Sequence, residues 1–104
     1  MAQFDVYANP NPATKRAIPY LLDVQTDLLS DLTTRVVVPL YSVSSMGKAA
    51  KHLNPRFSIK RTVAIMSTAE LAGVTVTSLG EKVCSLKEHR SEIIAALDFL
   101  ITGF

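Results

Sequence analysis

The chain has 104 residues, 48% of them hydrophobic and 19% charged, with a formal net charge of +2. That is enough for one hydrophobic core and too little for two, and too apolar for a chain that is disordered throughout, so residues 1–104 are read as a single domain. A lone cysteine, Cys84, excludes an internal disulfide and a cysteine-based metal site, and with few aromatics and no Trp the core must be built mainly from Val, Ile, Leu and Ala.

The start, Met1 to Pro12, lacks both the basic opening and the apolar stretch of a secretory signal, and no run approaches a membrane span, so a cytoplasmic protein without membrane contact is expected. Gln3 to Tyr7 alternates as a half-buried strand, with Phe4 and Val6 inward and Gln3, Asp5 and Tyr7 outward. Ala8 to Ala17, with Asn9-Pro10-Asn11-Pro12 and Lys15-Arg16, reads as a surface loop. A second strand is expected from Tyr20 to Gln25, then a turn over Asp27 to Asp31 whose adjacent Leu28 and Leu29 cannot both face inward if the segment is extended. Thr34 to Leu40 is the strongest strand, on three consecutive valines, with Pro39 closing it or marking an edge.

Ser42 to Asn54 reads as an irregular connection with a short helical turn around Lys48 to His52. Strands follow at Arg56 to Ile59 and Thr62 to Ser67, then a helical turn from Thr68 to Ala72 ended by Gly73, and a strand from Val74 to Leu79. The one long helix is predicted from Leu86 to Ile101, with Ser85 and Glu88 as a capping box and Leu86, Arg90, Ile93, Leu97 and Leu100 or Ile101 along one stripe. Short strands and one terminal helix predict an antiparallel sheet or small barrel with a packed helix. The helix runs into Thr102-Gly103-Phe104 with no polar tail, a contact surface unless Phe104 folds back onto the core.

Enzyme chemistry finds little support in the sequence. His52 and His89 stand alone, no metal-ligand spacing is present, and no GxSxG or phosphate-loop fingerprint occurs. Asp23 and Asp27 would share a face only on a helix, where a strand is expected, so no catalytic residue, metal or cofactor is assigned. Five bases and no acid between Lys48 and Arg61, namely Lys48, Lys51, Arg56, Lys60 and Arg61, form a stretch able to attract nucleic acid or an acidic polypeptide. Cys84 reads as a small packing residue.

Taken together, Gln3-Phe4-x-Val6-Tyr7, Asp23-Val24-Gln25-Thr26-Asp27-Leu28-Leu29, Arg35-Val36-Val37-Val38-Pro39-Leu40, Leu53-x-Pro55, Met66-Ser67-Thr68 and a final helix ending in Gly103 plus one apolar residue resemble the CcdB toxin family, nearly end to end. The resemblance implies a mainly β, SH3-like antiparallel barrel with a long C-terminal helix, acting as a homodimer. It implies a type II toxin that binds the DNA gyrase A subunit and traps gyrase on cleaved DNA, breaking no bond itself. A CcdA-like antitoxin with a disordered C-terminal segment would neutralise it, and operator DNA would be contacted only through the antitoxin.

Carried onto this sequence, the gyrase-binding residues are Thr26, Leu28, Leu29, Asp98, Ile101, Thr102, Gly103 and Phe104, with Gln3 and Tyr7 as lesser candidates. Lys48, Lys51, Arg56, Lys60 and Arg61 become antitoxin contacts. Three departures from the family pattern stand out: Thr102 where Trp is common, Asp98 where Asn is known, and Phe104 in place of Ile. Two alternatives remain, a MazF-like RNA-cleaving toxin using Arg61 with Thr62 or Arg35 with Thr34, and a non-toxic relative that only binds an antitoxin.

Overall fold

The computed structural model describes residues 1–50 and 52–103. Among them seven strands form one antiparallel sheet: β1 (Asp5–Ala8), β2 (Tyr20–Asp23), β3 (Thr34–Ser42), β4 (Arg56–Ile59), β5 (Thr62–Met66), β6 (Ala72–Thr75) and β7 (Lys82–Ser85). The order is β4-β5-β3-β2-β1-β7, with β6 lying beside the first half of β3 and β5 beside its second half. The sheet curls into a half-barrel closed by one helix, α1 (Arg90–Thr102), which gives the mainly β fold expected.

Strand pairing sorts the side chains onto two faces. Val6 faces Leu22 and Leu22 faces Val38, and this row, with Phe4, Leu40, Phe57, Ile59 and Met66, meets Leu86, Ile93 and Ala96 in the hydrophobic core. Burying such aliphatic side chains stabilises by about 1.5–3 kcal/mol each, so this row carries the fold. The opposite face of the same strands holds Asp5, Tyr7, Asp23, Gln25 and Arg35, all buried. Asp5 and Tyr7, expected on a solvated face, are therefore inside. Phe4 reaches the core with φ of 72°, a left-handed conformation few bulky residues adopt, while its N–H bonds the Asp23 carbonyl and its carbonyl takes the Leu86 N–H.

Several boundaries differ from the sequence reading for identifiable reasons. β3 passes straight through Pro39 because β5 and β6 separate opposite it, so the missing N–H faces a gap and the Pro39 carbonyl still accepts from Ser67. The helical turn after β5 is a short 3₁₀ turn, Thr68–Glu70, and Gly73 belongs to β6 rather than ending it. β6 stops at Thr75, where Val76–Ser78 tightens into another 3₁₀ turn held by hydroxyl contacts among Thr75, Thr77 and Ser78. β7 was not expected at all. It absorbs Ser85, whose Oγ takes the Lys87 N–H, so no capping box forms and α1 begins only at Arg90, after a 3₁₀ turn at Lys87–His89. Arg90 is exposed and the inward stripe is Ile93, Ala96 and their half-buried neighbours Ile94, Leu97 and Leu100. The turn expected around Lys48–His52 includes Lys51, outside the described residues; a turn closes from Ala50 to Asn54. No helix among the described residues is long and apolar enough to cross a membrane.

Candidate functional site

The connection between β2 and β3 presents its leucines outward. Thr26 Oγ1 accepts the Leu28 N–H and caps a 3₁₀ turn, Asp27–Leu29, whose geometry sets the Leu28 side chain into solvent at 92% exposure. Leu29 and Leu32 are about half exposed beside it. Both members of the leucine pair thus face out. A group of apolar side chains held outside a core loses the hydrophobic contribution it could make to folding, which makes this turn a candidate interaction surface.

A buried polar network holds this turn in place. The Arg35 Nε donates to Asp23 Oδ2 at 2.9 Å, its Nη2 lies 2.6 Å from the same oxygen, and Nη2 also donates to the Gln25 carbonyl at 3.2 Å. Gln25 completes the tie: its Nε2 donates to the Leu29 carbonyl at 3.1 Å and its Oε1 accepts the Val36 N–H at 3.0 Å. From the other side Gln3 donates its N–H to Asp27 Oδ1 and its Nε2 to the Val24 carbonyl. Burial pushes the Asp23 carboxyl above its ordinary range, against the hydrogen bonds from Arg35 and Gln25 that pull it down. Deeper in the row, Tyr7 donates to Asp5 Oδ2, Lys82 sits 3.4 Å from Asp5 Oδ1, and burial, followed by the charges of Asp5 and Asp23, pushes the Tyr7 phenol up to about 12.

These contacts sort the residues picked out by sequence. Thr26, Leu28 and Leu29 form one surface with Gln3 at its margin. Tyr7 does not belong to it, being buried with its hydroxyl engaged. Arg35, weighed above as a phosphate-handling base, is 1% exposed and locked on Asp23, so it cannot reach a substrate backbone. Gln25 and Arg35 are positioning residues that sequence reading missed, since nothing in spacing links positions 3, 23, 25 and 35.

The end of α1 forms a second surface. Ile101 is 74% exposed and Phe99 is partly exposed, its ring centroid 6.1 Å from that of His52. Asp98 and Thr102 are exposed, and the Thr102 hydroxyl donates to the Asp98 carbonyl one turn back. Gly103 adopts φ of 80° and its N–H caps the Phe99 carbonyl, so its place is set by the helix end itself as well as by any partner. Phe104 lies outside the described residues. Among them, no hydrogen bond or ion pair joins this surface to the Leu28 surface. Phe99, His52 and Leu32 join the candidates only through the structure.

The basic residues divide in the same way. Lys60 and Arg61 form the two-residue loop between β4 and β5, with φ of 50° and 67°, and both are exposed. Arg56 borders an open cleft of ≈ 420 Å³ lined also by Ala49, Asn54, Pro55 and Glu92. Lys48 is exposed on the preceding loop, and Lys51 lies outside the described residues. No group of three or more His, Cys, Asp or Glu side chains that could hold a metal ion occurs among the described residues.

Comparison with known proteins places this fold. It is similar to a solved structure titled as an endoribonuclease in complex with its cognate antitoxin from Mycobacterial species, with a TM-score of 0.76 and 12% identity over 97% of this chain and 94% of that one. At that identity the likeness is one of fold alone. The family model described as CcdB protein matches residues 3–103, nearly the whole chain, and the chain belongs to the CcdB family.

Proposed function

We propose that this chain is the toxin of a type II toxin–antitoxin pair and that it acts by binding the DNA gyrase A subunit and holding gyrase on cleaved DNA, not by breaking a bond itself. Membership of the CcdB family supports the toxin reading. The observation that carries the binding reading is Leu28, presented at 92% exposure on a turn pinned from beneath by Gln25 and Arg35. An apolar anchor that is already rigid loses little entropy on docking, which is what binding hot spots require. Ile101 and Phe99 at the helix end supply the second apolar contact, with Asp98, Thr102 and Gly103 beside them; Thr26 and Gln3 belong to the Leu28 turn, and Phe104 is carried over as a contact by the family resemblance alone. The family's usual Trp is Thr102 here, and losing such an anchor weakens binding by on the order of 2 kcal/mol.

The antitoxin reading rests on charge. Lys48, Lys51, Arg56, Lys60 and Arg61 would steer an acidic, disordered CcdA-like segment, which orders on binding. The toxin acts as a homodimer and meets operator DNA only through that antitoxin, within the cytoplasm. The similar fold titled endoribonuclease favours one other reading, in which exposed Arg61 and Thr62 act on RNA.

One experiment separates these readings. Purified protein is incubated with gyrase, ATP and supercoiled plasmid, denatured with detergent and scored for linear DNA, in parallel with an RNA substrate. Linear DNA from the native chain, reduced about tenfold or more by Leu28→Ala or Ile101→Ala in folded protein, supports gyrase poisoning. RNA cleavage lost in Arg61→Ala, with no linear DNA, replaces it with the ribonuclease reading. Neither activity, with an antitoxin still bound, leaves a non-toxic relative.

A further inference from the structure

β4 ends the sheet, pairing with β5 and with no other strand. The Pro55 carbonyl accepts the Met66 N–H and the hairpin closes with Ile59 opposite Thr62, so the backbone groups of Phe57 and Ile59 point to β5. Those of Arg56 and Ser58, one position out of step, point away from the sheet. With β5 the sole strand beside β4, these outward groups have no ladder partner, and outside the ladders neither residue's backbone bonds the backbone of any described residue. Both residues are exposed, while Phe57 and Ile59 are sunk in the core and fix the strand. The edge thus presents two donors and two acceptors on a rigid support.

An exposed edge admits a further strand, and the side chains along it decide which. Here they are basic. Arg56 stands on the edge itself, Lys60 and Arg61 form the hairpin loop just beyond Ser58, and no acid occurs from Lys48 to Arg61. A second copy of this chain laid along the edge crowds like charges into one seam, whereas an acidic segment meets opposite charge at both ends. The cleft of ≈ 420 Å³ opens at the Arg56 end, with Asn54 and Glu92 among its walls, and offers room for a side chain where the segment leaves the strand. Glu92, its Oε1 3.2 Å from His89 Nδ1, disfavours an acid at that one position. The acids of the segment belong instead beside Arg56 and the hairpin loop.

We infer that β4 takes an extended, acidic polypeptide segment as an added strand, its main chain bonded to the outward N–H and C=O groups of Arg56 and Ser58 and one uncharged or basic side chain seated in the cleft. Main-chain hydrogen bonds, which any sequence can make, hold the segment, and the charges and the cleft select it. The inference rests on the antitoxin reading, in which a disordered acidic segment orders on the toxin, and adds the place and manner of that ordering. Arg56 then acts at contact range, while Lys60 and Arg61 steer the approach.

Hydrogen exchange followed by NMR tests the pairing on the native chain with a full-length CcdA-like antitoxin. The amides of Phe57 and Ile59, bonded to β5, exchange slowly with or without it, whereas those of Arg56 and Ser58 exchange fast in the free toxin and about tenfold or more slower in the complex. Ser58→Pro removes one outward donor and leaves the bonds to β5 in place, a substitution that edge strands accept. In that variant the dissociation constant for the antitoxin rises about tenfold, one hydrogen bond with its acceptor left unpaired; Ser58→Ala, which keeps the N–H, leaves it unchanged. Arg56→Gln weakens binding at low salt more than at high salt. Should Ser58→Pro fail to fold, the exchange rates decide. Antitoxin bound to the native chain with Arg56 and Ser58 still exchanging fast, or bound as tightly to folded Ser58→Pro, overturns the strand pairing while the antitoxin reading stands. Slowed exchange that grows with the concentration of the native chain alone gives the edge to a second copy and overturns the acidic occupant. An antitoxin that does not bind the folded native chain overturns the antitoxin reading, and the inference with it.

Discussion

The β4–β5 loop gives the sharpest test of how function and stability divide in this chain. Ile59 pairs with Thr62, leaving Lys60 and Arg61 as a two-residue loop with φ of 50° and 67°. This is the type I′ geometry, which favours Asn-Gly because both central residues lie in the left-handed region. Each ordinary L-residue held there costs roughly 1–2 kcal/mol. Lys60→Asn with Arg61→Gly relieves much of that, offset by about 0.5–1 kcal/mol of extra backbone freedom that Gly gives the unfolded chain. The expected net gain is about 1–2 kcal/mol, a rise in Tm of about 4–8 °C for each kcal/mol in a domain of this size.

The assay is urea unfolding alongside stopped-flow association with a CcdA-like antitoxin at low and high salt. The double variant unfolds at a higher urea midpoint and associates more slowly at low salt only. Lys60→Gln with Arg61→Gln is the control: the same charges are lost while the L-residues remain, so association slows and stability stays put. An unchanged midpoint for the Asn-Gly variant would refute the strain argument. Association that ignores both variants would refute the steering role of the loop.

Three further outcomes follow from other parts of the molecule. Asp23→Ala leaves Arg35, at 1% exposure, with no carboxylate acceptor in the core, and equilibrium unfolding should register a loss of about 3–5 kcal/mol; a loss under about 1 kcal/mol means the pair is not buried as described. A Cβ on Gly80 would sit 2.6 Å from the Ala8 carbonyl oxygen, a backbone atom that itself accepts the Gly80 N–H, so Gly80→Ala lowers stability by about 1–3 kcal/mol, checked by thermal melts. In an alkaline absorbance titration Tyr7 ionises near 12, and Asp5→Asn brings it down. Since the folded value lies above the ordinary 10.0, this group's contribution is complete below pH 10 and is lost as pH rises toward 12; a Tyr7→Phe chain that loses stability over that interval as steeply as the native one contradicts the assignment.

The sequence made most of the sheet legible where side chains alternate or β-branched residues cluster, as in β3, β4 and β5. It failed where tertiary context overrode local pattern. Lys82–Ser85 shows no apolar alternation and is only half buried, so β7 could be recognised only from its partner β1. Ser85 and Glu88 have the spacing of a capping box, but Ser85 was already committed to that strand. Asp5 and Tyr7 alternate as solvated positions yet are buried, because Asp5 accepts from Ala2 and Tyr7 and pairs with Lys82. For the candidate site, the leucine pair and the apolar helix end stood out in the sequence as candidates, although an extended segment required only one of the two leucines to face out and both do. The Gln25–Arg35 support was not, since hydrogen bonds between residues 10 and 12 positions apart leave no periodic trace.

The positions where local rules are broken coincide with the proposed surfaces, and that coincidence has a physical reading. Phe4 takes a left-handed backbone next to Gln3, which holds the Leu28 turn through Asp27; Lys60 and Arg61 take the same strained region where an antitoxin would approach; and Arg35 spends a buried charge on fixing a loop rather than on packing. A chain selected for stability alone would carry Asn-Gly at the loop and an apolar pair in place of Asp23 and Arg35, since well-packed apolar groups commonly equal or exceed a buried ion pair. What the present residues provide instead is geometry. The ion pair ties Gln25 to the sheet, Gln25 ties Leu29 to the ion pair, and Leu28 is left exposed on a turn with little freedom to lose on binding. The stability given up at these points is thereby matched to the proposed surfaces, which would act only when a second molecule arrives.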